Sequence, residues 1–318
     1  MTLIAEPRAQ VGGSAELAAA VARARPAAGA VTVVGYGNMG REYVKALQAM
    51  GVRRIVVCAR SAARLGPLQG AEGLQTVVGG VERLGPPDDR ASLAIVATPT
   101  ETLGAVAEPL ARRGYRRLLI DKPVAVWSED IVRLADALER DGAEAVCAYN
   151  RLAYPSFQEV RARAEQEGGV TSCTYGFTEY VHRIGPDRFS AEELARWGIA
   201  NSIHVLSLAH GLIGLPATSS GHRGGRLAWH AAGAVFVGSG VSTRGIPFAY
   251  HADWGSTGRW GVEVHSGTAS DRLCPLETLV RRTSPTAEWQ EVPVTTFAPA
   301  VKAGLVEQVV AMLDPQVR

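Results

Sequence analysis

The chain lacks an excess of charge of either sign. Its 318 residues contain 33 lysines and arginines against 31 aspartates and glutamates, a formal net charge of +2. The densest basic cluster flanks a predicted helix end, where cations interact favourably with the helix dipole: Arg112, Arg113, Arg116 and Arg117. Because basic and acidic residues are interspersed, we expect no surface dedicated to nucleic acid.

Cysteine is also scarce, and no C-x-x-C pair occurs. The four cysteines are scattered along the chain, at Cys58, Cys147, Cys173 and Cys274. Three of them lie in apolar runs typical of strands, where a thiol behaves as a small buried hydrophobe. The pattern predicts neither a disulfide framework nor a zinc site. Four histidines show no metal-binding spacing and are expected to be structural: His210, His222, His230 and His265.

Long apolar runs are absent as well. No segment has the length of hydrophobic sequence that a membrane-spanning helix needs. The N-terminus lacks the basic start and apolar core of a secretory signal, and residues 14–25 predict a short Ala-rich helix instead. We therefore expect a cytoplasmic, reduced protein without membrane contact.

What the chain does contain is an alternation of strands and helices from Val31 to about Asn150. Amphipathic stretches at Glu101–Arg113 and Trp127–Arg140 separate the later apolar strands. The strands are predicted at Val31–Gly35, Arg54–Ala59, Leu93–Ala97, Arg117–Asp121 and Glu144–Tyr149. Near-continuous apolar strands between helices predict a doubly wound parallel sheet.

After Tyr154 the pattern changes. A helix is predicted at Tyr154–Glu167, a strand at Val170–Val181 and a helix at Ile203–Ile213. Short β segments separated by Gly, Pro and Ser follow, and they predict an antiparallel sheet. Their bounds are Ala234–Val241, Phe248–Trp254 and Arg259–His265, and the chain closes with a helix at Val301–Leu313.

One glycine-rich turn has the right context for a ligand site. Strand residues from Val31 run directly into Gly35-Tyr36-Gly37-Asn38-Met39-Gly40, and a helical stretch follows at once. In a G-x-G-x-x-G turn, the glycines permit a tight turn, close approach of a pyrophosphate and close helix–strand packing. The helix N-terminus offers free N–H groups to phosphates. The segment therefore predicts a dinucleotide site, and a structural glycine turn is the alternative.

The end of the second predicted strand carries arginine and no carboxylate. Ala59, Arg60 and Ser61 lie where an enzyme that uses NAD usually has Asp or Glu, and Arg64 follows one helical turn later. Since a guanidinium suits a 2′-phosphate, we favour NADP(H), with NAD(H) possible. The alternative is that these arginines are merely solvated at a strand end.

Two further motifs follow predicted central strands, Ala97-Thr98-Pro99-Thr100 and Asp121-Lys122-Pro123. Open α/β sheets bind ligands at the carboxyl edge, where both motifs lie. The Lys122 ammonium could hydrogen-bond a substrate hydroxyl or carbonyl and exchange a proton with it while a hydride moves. An exposed lysine at a strand end is the alternative.

These motifs, followed by Tyr149-Asn150-Arg151 and a later His204, resemble the glucose–fructose oxidoreductase/inositol dehydrogenase family (Gfo/Idh/MocA) over about residues 30 to 313. The resemblance implies a Rossmann domain followed by an α+β domain with a large, open, mostly antiparallel sheet. It implies hydride transfer between a nicotinamide cofactor and a hydroxyl-bearing sugar or cyclitol carbon. It also implies that Lys122 is the catalytic lysine, that Asp121 lies near the nicotinamide ribose, and that copies associate through the open sheet.

With this resemblance, we divide the chain into an N-terminal extension (1–29), a Rossmann domain (30–150), a substrate and oligomerisation domain (151–298) and a C-terminal helix (299–318). The residues expected to bind cofactor are Gly35, Tyr36, Gly37, Asn38, Met39, Gly40, Arg60, Ser61, Arg64, Thr98, Pro99, Asp121 and Lys122. Those expected to bind substrate are Asn150, Arg151, Tyr180, His182 and Asn201.

The chain differs from the family pattern at the positions where the family usually has acidic residues. The usual triplet begins with Glu, here Asp121. The family often has Asp-x-x-x-His-x-x-Asp at the substrate-domain helix; this chain keeps His204 but has Ala200 and Ser207 at the acid positions. An imidazole without a carboxylate is less basic but still titrates near neutrality, and Asn201 or Ser202 could orient it. A buried structural histidine is the alternative.

Polar and aromatic residues are dense between Phe177 and Arg183. Strand alternation would put Thr178, Tyr180 and His182 on one face, where they could form a sugar-binding wall. An exposed sheet face or a subunit interface is an equal alternative.

The sequence thus predicts an NADP(H)-preferring oxidoreductase acting on a sugar, cyclitol or related intermediate, with Lys122 as the main proton relay and His204 as its partner. Two alternatives stay open. The lost acids also fit a non-catalytic regulator that binds cofactor, and altered proton donors would suit an imine reductase.

Overall fold

A computed structural model describes residues 14–27, 29–89, 92–314 and 316. The chain divides into two compact units. The first comprises Met1–Asn150 with Thr296–Arg318, and the second comprises Arg151–Thr295.

The first unit is built on a six-stranded parallel sheet. Its strands are β1 (Val31–Val34), β2 (Ile55–Ala59), β3 (Leu74–Val78), β4 (Leu93–Val96), β5 (Arg117–Ile120) and β6 (Glu144–Cys147). Their order is β3-β2-β1-β4-β5-β6, so the connection reverses between the neighbours β1 and β4. The helices before residue 151 are α1 (Ser14–Ala27), α2 (Asn38–Ala49), α3 (Ala62–Leu65), α4 (Leu103–Arg112) and α5 (Ser128–Arg140).

Strand β3 was missed by the sequence analysis. Its residues, Leu74 to Val78, are all half-buried or exposed because the strand lies at one edge of the sheet. An edge strand lacks the continuous apolar run of the central strands, so its signal is weak. The central strands β1 and β4, in contrast, are buried along their whole length, and the doubly wound parallel sheet is confirmed.

The second unit is built on an eight-stranded sheet that is mostly antiparallel. Its helices are α6 (Pro155–Gln166), α7 (Ala191–Ala195) and α8 (Ile203–Ile213), and a π-helical turn at Gly198–Ser202 leads into α8. The strand order is β14-β13-β12-β11-β7-β10-β9-β8, and only the β7–β10 pair is parallel. The strands are β7 (Ser172–Phe177), β8 (Pro216–Gly224), β9 (Val235–Ser242), β10 (Pro247–Asp253), β11 (Trp260–His265), β12 (Ser270–Leu273), β13 (Leu279–Arg282) and β14 (Gln290–Val292).

The prediction of one strand over Val170–Val181 was wrong at its C-terminal end. Strand β7 ends at Phe177, whose carbonyl accepts a hydrogen bond from Trp254 Nε1 at 3.2 Å. The next hydroxyl, Thr178 Oγ1, accepts the Asp253 backbone N–H at 3.0 Å. After Phe177, these side-chain contacts take the place of the backbone hydrogen bonds between strands. The chain then forms a 3₁₀ turn at Val181–Arg183. Tyr180 and His182 therefore do not share a strand face.

The C-terminal residues return to the first unit. Helix α9 (Leu305–Leu313) begins after Gly304, whose φ of +81° interrupts the helix predicted from Val301. Asp314 is fully buried and accepts Arg23 Nη2 of α1 at 2.8 Å. Tyr43 of α2 and the amide of Gln308 are hydrogen-bonded at 3.2 Å. Helices α1, α2 and α9 thus close one face of the parallel sheet over a shared apolar core.

Among the described residues, no helix combines the length and the apolar character that crossing a membrane would require.

We expect Glu307 to make stability depend on pH. Burial raises the pKa of this carboxyl from 4.5 to about 7, although N–H groups of Gly304 and Glu307 act in the opposite direction. Because the folded pKa exceeds the unfolded one, the native state loses stability as pH rises from 4.5 to about 7. Glu307→Gln removes this loss, which amounts to about 1.4 kcal/mol for each pH unit between the two pKa values.

Urea unfolding at pH 5 and pH 8 measures the effect. The Glu307→Gln variant should exceed the native chain in stability at pH 8 and show the smaller change between the two pH values. Glu72→Gln, an exposed acid in the turn before β3, is the matched control and should change neither. Equal pH dependence of the native chain and the Glu307→Gln variant would contradict the role of burial.

Candidate active site

The glycine turn joins β1 to α2 in the way the motif predicted. Gly35 has a φ of +99°, and its N–H donates to the Cys58 carbonyl at 2.8 Å. A side chain on Gly35 would collide with the Ala97 carbonyl, and one on Gly40 with the Gly35 carbonyl. Only glycine fits at these two positions, because backbone fills the space that a Cβ needs.

The middle glycine differs, since a Cβ on Gly37 would meet nothing within 4 Å. Gly37 is the N-cap of α2; no side chain caps this helix, and its first turn contains no acidic residue. The first N–H groups of α2 and the positive end of its dipole are thus left to a ligand. Open space beside uncapped N–H groups fits the pyrophosphate of a dinucleotide.

The turn lies at the point where the sheet connection reverses. Ala97 N–H donates to the Val34 carbonyl at 2.8 Å, which brings the ends of β1 and β4 together. Thr98 follows at this edge, and its Oγ1 is buried with no hydrogen-bond partner among the described residues. Because buried hydroxyls are usually paired, this atom indicates a ligand contact. Pro99 continues into a 3₁₀ turn at Thr100–Thr102.

Exposed arginines follow β2. Arg60 lies directly after the strand, Ser61 is the N-cap of the short helix α3, and Arg64 lies within α3. Both arginines are exposed, and neither forms an ion pair in the part of the chain that the structure describes. The structure also brings an acidic residue that was not predicted, Glu82, into the neighbourhood of Arg60. A Cβ built on Gly80 would lie 3.4 Å from Glu82 Oε2 and 3.6 Å from Arg60 Cγ. Glu82 follows β3, the strand that was not predicted.

Asp121 and Lys122 follow β5 at the same edge. The Asp121 N–H donates to the Val96 carbonyl at 2.9 Å, and the Lys122 N–H donates to Asp121 Oδ1 at 2.9 Å. The Lys122–Pro123 peptide is cis. Burial raises the pKa of the Asp121 carboxyl, while the positive charges of Lys122 and Lys302 act in the opposite direction. The charges of both ammonium groups thus act on the Asp121 carboxyl.

Asn150, which is expected to bind substrate, contacts the C-terminal segment. Its side chain belongs to a residue only 2% exposed, and Nδ2 donates to the Ala303 carbonyl at 3.3 Å. The amide therefore holds the C-terminal segment in place within the first unit.

In the second unit, Arg151 and His204 share one aromatic neighbour, Trp260. The Arg151 guanidinium carbon lies 5.1 Å from the centre of the Trp260 ring and 5.9 Å from that of Tyr154. The centres of the His204 and Trp260 rings are 5.8 Å apart. Burial lowers the pKa of Arg151, and Tyr154, Glu277 and Glu179 act in the opposite direction. Arg151 Nε and Nη1 are buried without a hydrogen-bond partner among the described residues.

A buried carboxylate lies beside this group although α8 carries none at the family positions. Glu179 is 4% exposed, and its two oxygens accept Asn201 Nδ2 at 2.8 Å and Ser202 Oγ at 2.7 Å. The π-helical turn ends at Ser202, and His204 follows two residues later. Glu179 was not predicted as a site residue because the segment after Phe177 was predicted to be a strand.

Tyr180 and His182 form a separate pair. Their ring centres are 6.0 Å apart, and the Arg183 guanidinium carbon lies 5.4 Å from the Tyr180 ring centre. The second unit thus groups Arg151, Glu179, Asn201 and His204. Tyr180 and His182, which were expected to form part of a sugar-binding wall on a strand, lie instead at a 3₁₀ turn. No cluster of three metal-binding side chains occurs among residues 14–27, 29–89, 92–314 and 316.

Comparison with solved structures shows the same fold over most of the chain. A levoglucosan dehydrogenase in complex with NADH and levoglucosan is 16% identical, with a TM-score of 0.69 over 91% of this chain and 89% of that one. An oxidoreductase from Agrobacterium radiobacter, in complex with NAD⁺, L-tartaric acid and magnesium, is 16% identical, with a TM-score of 0.70 over 91% and 87%.

A third similar structure is a UDP-N-acetylglucosamine 3-dehydrogenase from Acidithiobacillus ferrooxidans. It is 15% identical, with a TM-score of 0.67 over 89% of this chain and 87% of that one. At such identities the likeness shows the fold. A search of curated proteins gives no match to the sequence.

A family model matches the part of the chain that contains the glycine turn. Residues 30–149 match the model of the Gfo/Idh/MocA family, described as an oxidoreductase family with an NAD-binding Rossmann fold. These residues contain the glycine turn, the arginines after β2 and the Asp121-Lys122-Pro123 triplet. Residues 30–149 therefore form an NAD-binding Rossmann domain of the Gfo/Idh/MocA oxidoreductase family, as the order of the motifs predicted.

Proposed function

We propose that the protein is an NADP(H)-preferring dehydrogenase or reductase that acts on a hydroxyl or keto carbon of a sugar, cyclitol or related intermediate. The observation that carries this proposal is the placement of Asp121 and Lys122 on the same sheet edge as the open glycine turn. Three similar folds belong to proteins whose names or bound molecules include levoglucosan, a UDP-linked aminosugar and L-tartaric acid, all rich in hydroxyl groups.

The glycine turn, the free N-terminus of α2 and the Thr98 hydroxyl would hold the dinucleotide, which supplies or accepts the hydride when bound. Lys122 would transfer the proton between itself and the substrate oxygen. In reduction, its ammonium donates a proton to the carbonyl oxygen; in oxidation, its amine removes the hydroxyl proton. His204 of the second unit is proposed as a further proton donor, and Arg151 and Asn201 as substrate-binding residues.

Glu179 supports catalysis over a purely regulatory role. The regulator alternative is based on the loss of both acids at Ala200 and Ser207. The structure holds a buried carboxyl group next to Asn201 and Ser202 from another element, so an acidic side chain is present in this region. Nicotinamide turnover on a panel of sugars, cyclitols, ketones and imines separates the classes. Tight cofactor binding without turnover would favour the regulator, and turnover of imines alone would favour an imine reductase.

The preference for NADP(H) is supported by this chain's own residues. Arg60 and Arg64 are exposed and unpaired among the described residues at the carboxyl edge beside the glycine turn. The similar structures whose bound cofactors are named hold NADH or NAD⁺, so their ligands do not support this preference.

Replacement of Lys122 tests the proton relay. Lys122→Ala should lower kcat by roughly a hundredfold to ten-thousandfold, because general acid–base catalysis contributes about that factor. The dissociation constant for NADPH, measured by fluorescence titration, should change by less than about threefold, since the glycine turn remains. Lys45→Ala is the matched control, because Lys45 is exposed and paired with Glu42 on α2. Undiminished turnover in the Lys122 variant would refute the relay.

Replacement of both arginines tests the cofactor preference. The double variant Arg60→Ala, Arg64→Ala should bind NADPH at least about tenfold more weakly, since a charge-assisted contact is worth about 1.5–3 kcal/mol. Binding of NADH should stay nearly constant, because it lacks the 2′-phosphate. Arg53→Ala, an exposed arginine before the amino end of β2, is the control. Tighter binding of NADH than NADPH by the native protein would overturn the preference.

We also propose that copies of the chain associate through the outer face of the eight-stranded sheet. Val237 and Val241 of β9 are 38% and 40% exposed on this face. Pairing places them on the same side as exposed residues of β10, namely Pro247, Ala249 and His251. A face of small and apolar residues without a cover is typical of an interface between copies.

Val237→Asp with Val241→Asp should dissociate the oligomer, because each change puts an uncompensated charge into the interface. Sedimentation velocity measures the mass of the species. Val78→Asp, an equally exposed valine on β3 of the first unit, is the control and should leave the mass unchanged. A monomeric native protein would contradict the proposal.

A further inference from the structure

The C-terminal segment brings a lysine to the glycine turn. Lys302 is exposed, and its Nζ lies 3.4 Å from Sδ of Met39. Met39 is the second residue of α2 and part of the turn that starts at Gly35. The two residues are 263 positions apart in sequence, so the motif alone gave no sign of this contact.

The same ammonium lies within electrostatic range of Asp121. The positive charge of Lys302 opposes the effect of burial on the pKa of that carboxyl, as the charge of Lys122 does. Lys302 therefore lies beside Met39, and its charge also acts on the Asp121 carboxyl. The first marks the phosphate end of the predicted cofactor site, and the second marks its nicotinamide end.

The segment that carries Lys302 is held in place by neighbouring contacts. Ala303, the next residue, accepts Asn150 Nδ2 at 3.3 Å. Phe297 and Val301 pack against the apolar core that α1, α2 and α9 share. The position of the lysine follows from packing on both sides of it.

The chemistry of this position suits an anion. The N-terminus of α2 already presents free N–H groups and a positive dipole, with no acid in its first turn. A cation beside a helix N-terminus is unfavourable by itself and becomes favourable when an anion lies between them. The Met39 thioether is only a weak hydrogen-bond acceptor for this ammonium.

We propose that Lys302 binds the cofactor phosphate next to the nicotinamide ribose, between the glycine turn and Asp121. This assignment rests on the proposed dinucleotide site and adds to it a residue from the far end of the chain. The C-terminal segment is then part of the cofactor site and not only a support for the sheet.

The small number of lysines allows a direct test on the unmodified protein. The chain has three, Lys45, Lys122 and Lys302. The protein is acetylated briefly, and mass spectrometry follows the modification of each lysine without ligand and with NADPH, ADP-ribose or AMP. ADP-ribose and AMP are each used with and without a 2′-phosphate. Ligands with the second phosphate of the pyrophosphate should slow acetylation of Lys302 several-fold, AMP should not, and Lys45 serves as the internal control.

Binding constants test the contact independently. By calorimetry, Lys302→Ala should weaken NADPH and ADP-ribose roughly tenfold to a hundredfold, the range expected for a hydrogen bond to a charged group. AMP should change by less than about twofold, because it lacks the second phosphate. Lys302→Arg keeps the charge and should retain most of the affinity, and Lys45→Ala should have no effect. The loss in the alanine variant should shrink as salt is added.

The outcomes separate this inference from the proposed function. Equal losses for AMP and ADP-ribose, unchanged affinity in Lys302→Ala, or no protection of Lys302 by ADP-ribose would each overturn the assignment while leaving dinucleotide binding intact. A native protein that binds none of these ligands would overturn the proposed function as well.

Discussion

The close contact between α2 and the ends of β1 and β4 is the constraint on which the first unit depends. Backbone carbonyls of Gly35 and Ala97 occupy the space that side chains at Gly40 and Gly35 would need. This contact fixes where α2 begins, so its free N–H groups point to the sheet edge that carries Thr98, Asp121 and Lys122. A side chain at Gly35 or at Gly40 would move the helix end away from all three.

Much of this unit could be predicted from the sequence, because its signals are local. The glycine turn, the apolar central strands and the triplet at Asp121 are each contained in a few consecutive residues. The edge strand β3 was missed since its residues are only partly buried, and Glu82 was missed with it. Lys302 lies 263 residues from Met39, and no local pattern reports a contact of that separation.

The second unit shows the same limit more strongly. His204 was found by motif order, yet its surroundings come from three other segments: Arg151 before α6, Glu179 after β7 and Trp260 at the start of β11. Two side-chain hydrogen bonds, from Trp254 and to Thr178, end β7 early and displace Tyr180 and His182 from the expected face. Period-two alternation cannot predict such an ending, because the bonds depend on tertiary structure.

The bond between Arg23 and Asp314 has a consequence for biosynthesis. It joins residues 291 positions apart, and α9 supplies part of the core against which α1 and α2 pack. During translation, domains generally fold from the N-terminus as they emerge. The first unit cannot follow that order, since one of its core helices is made after the entire second unit. Part of the apolar sheet face therefore stays uncovered until α9 has been synthesised.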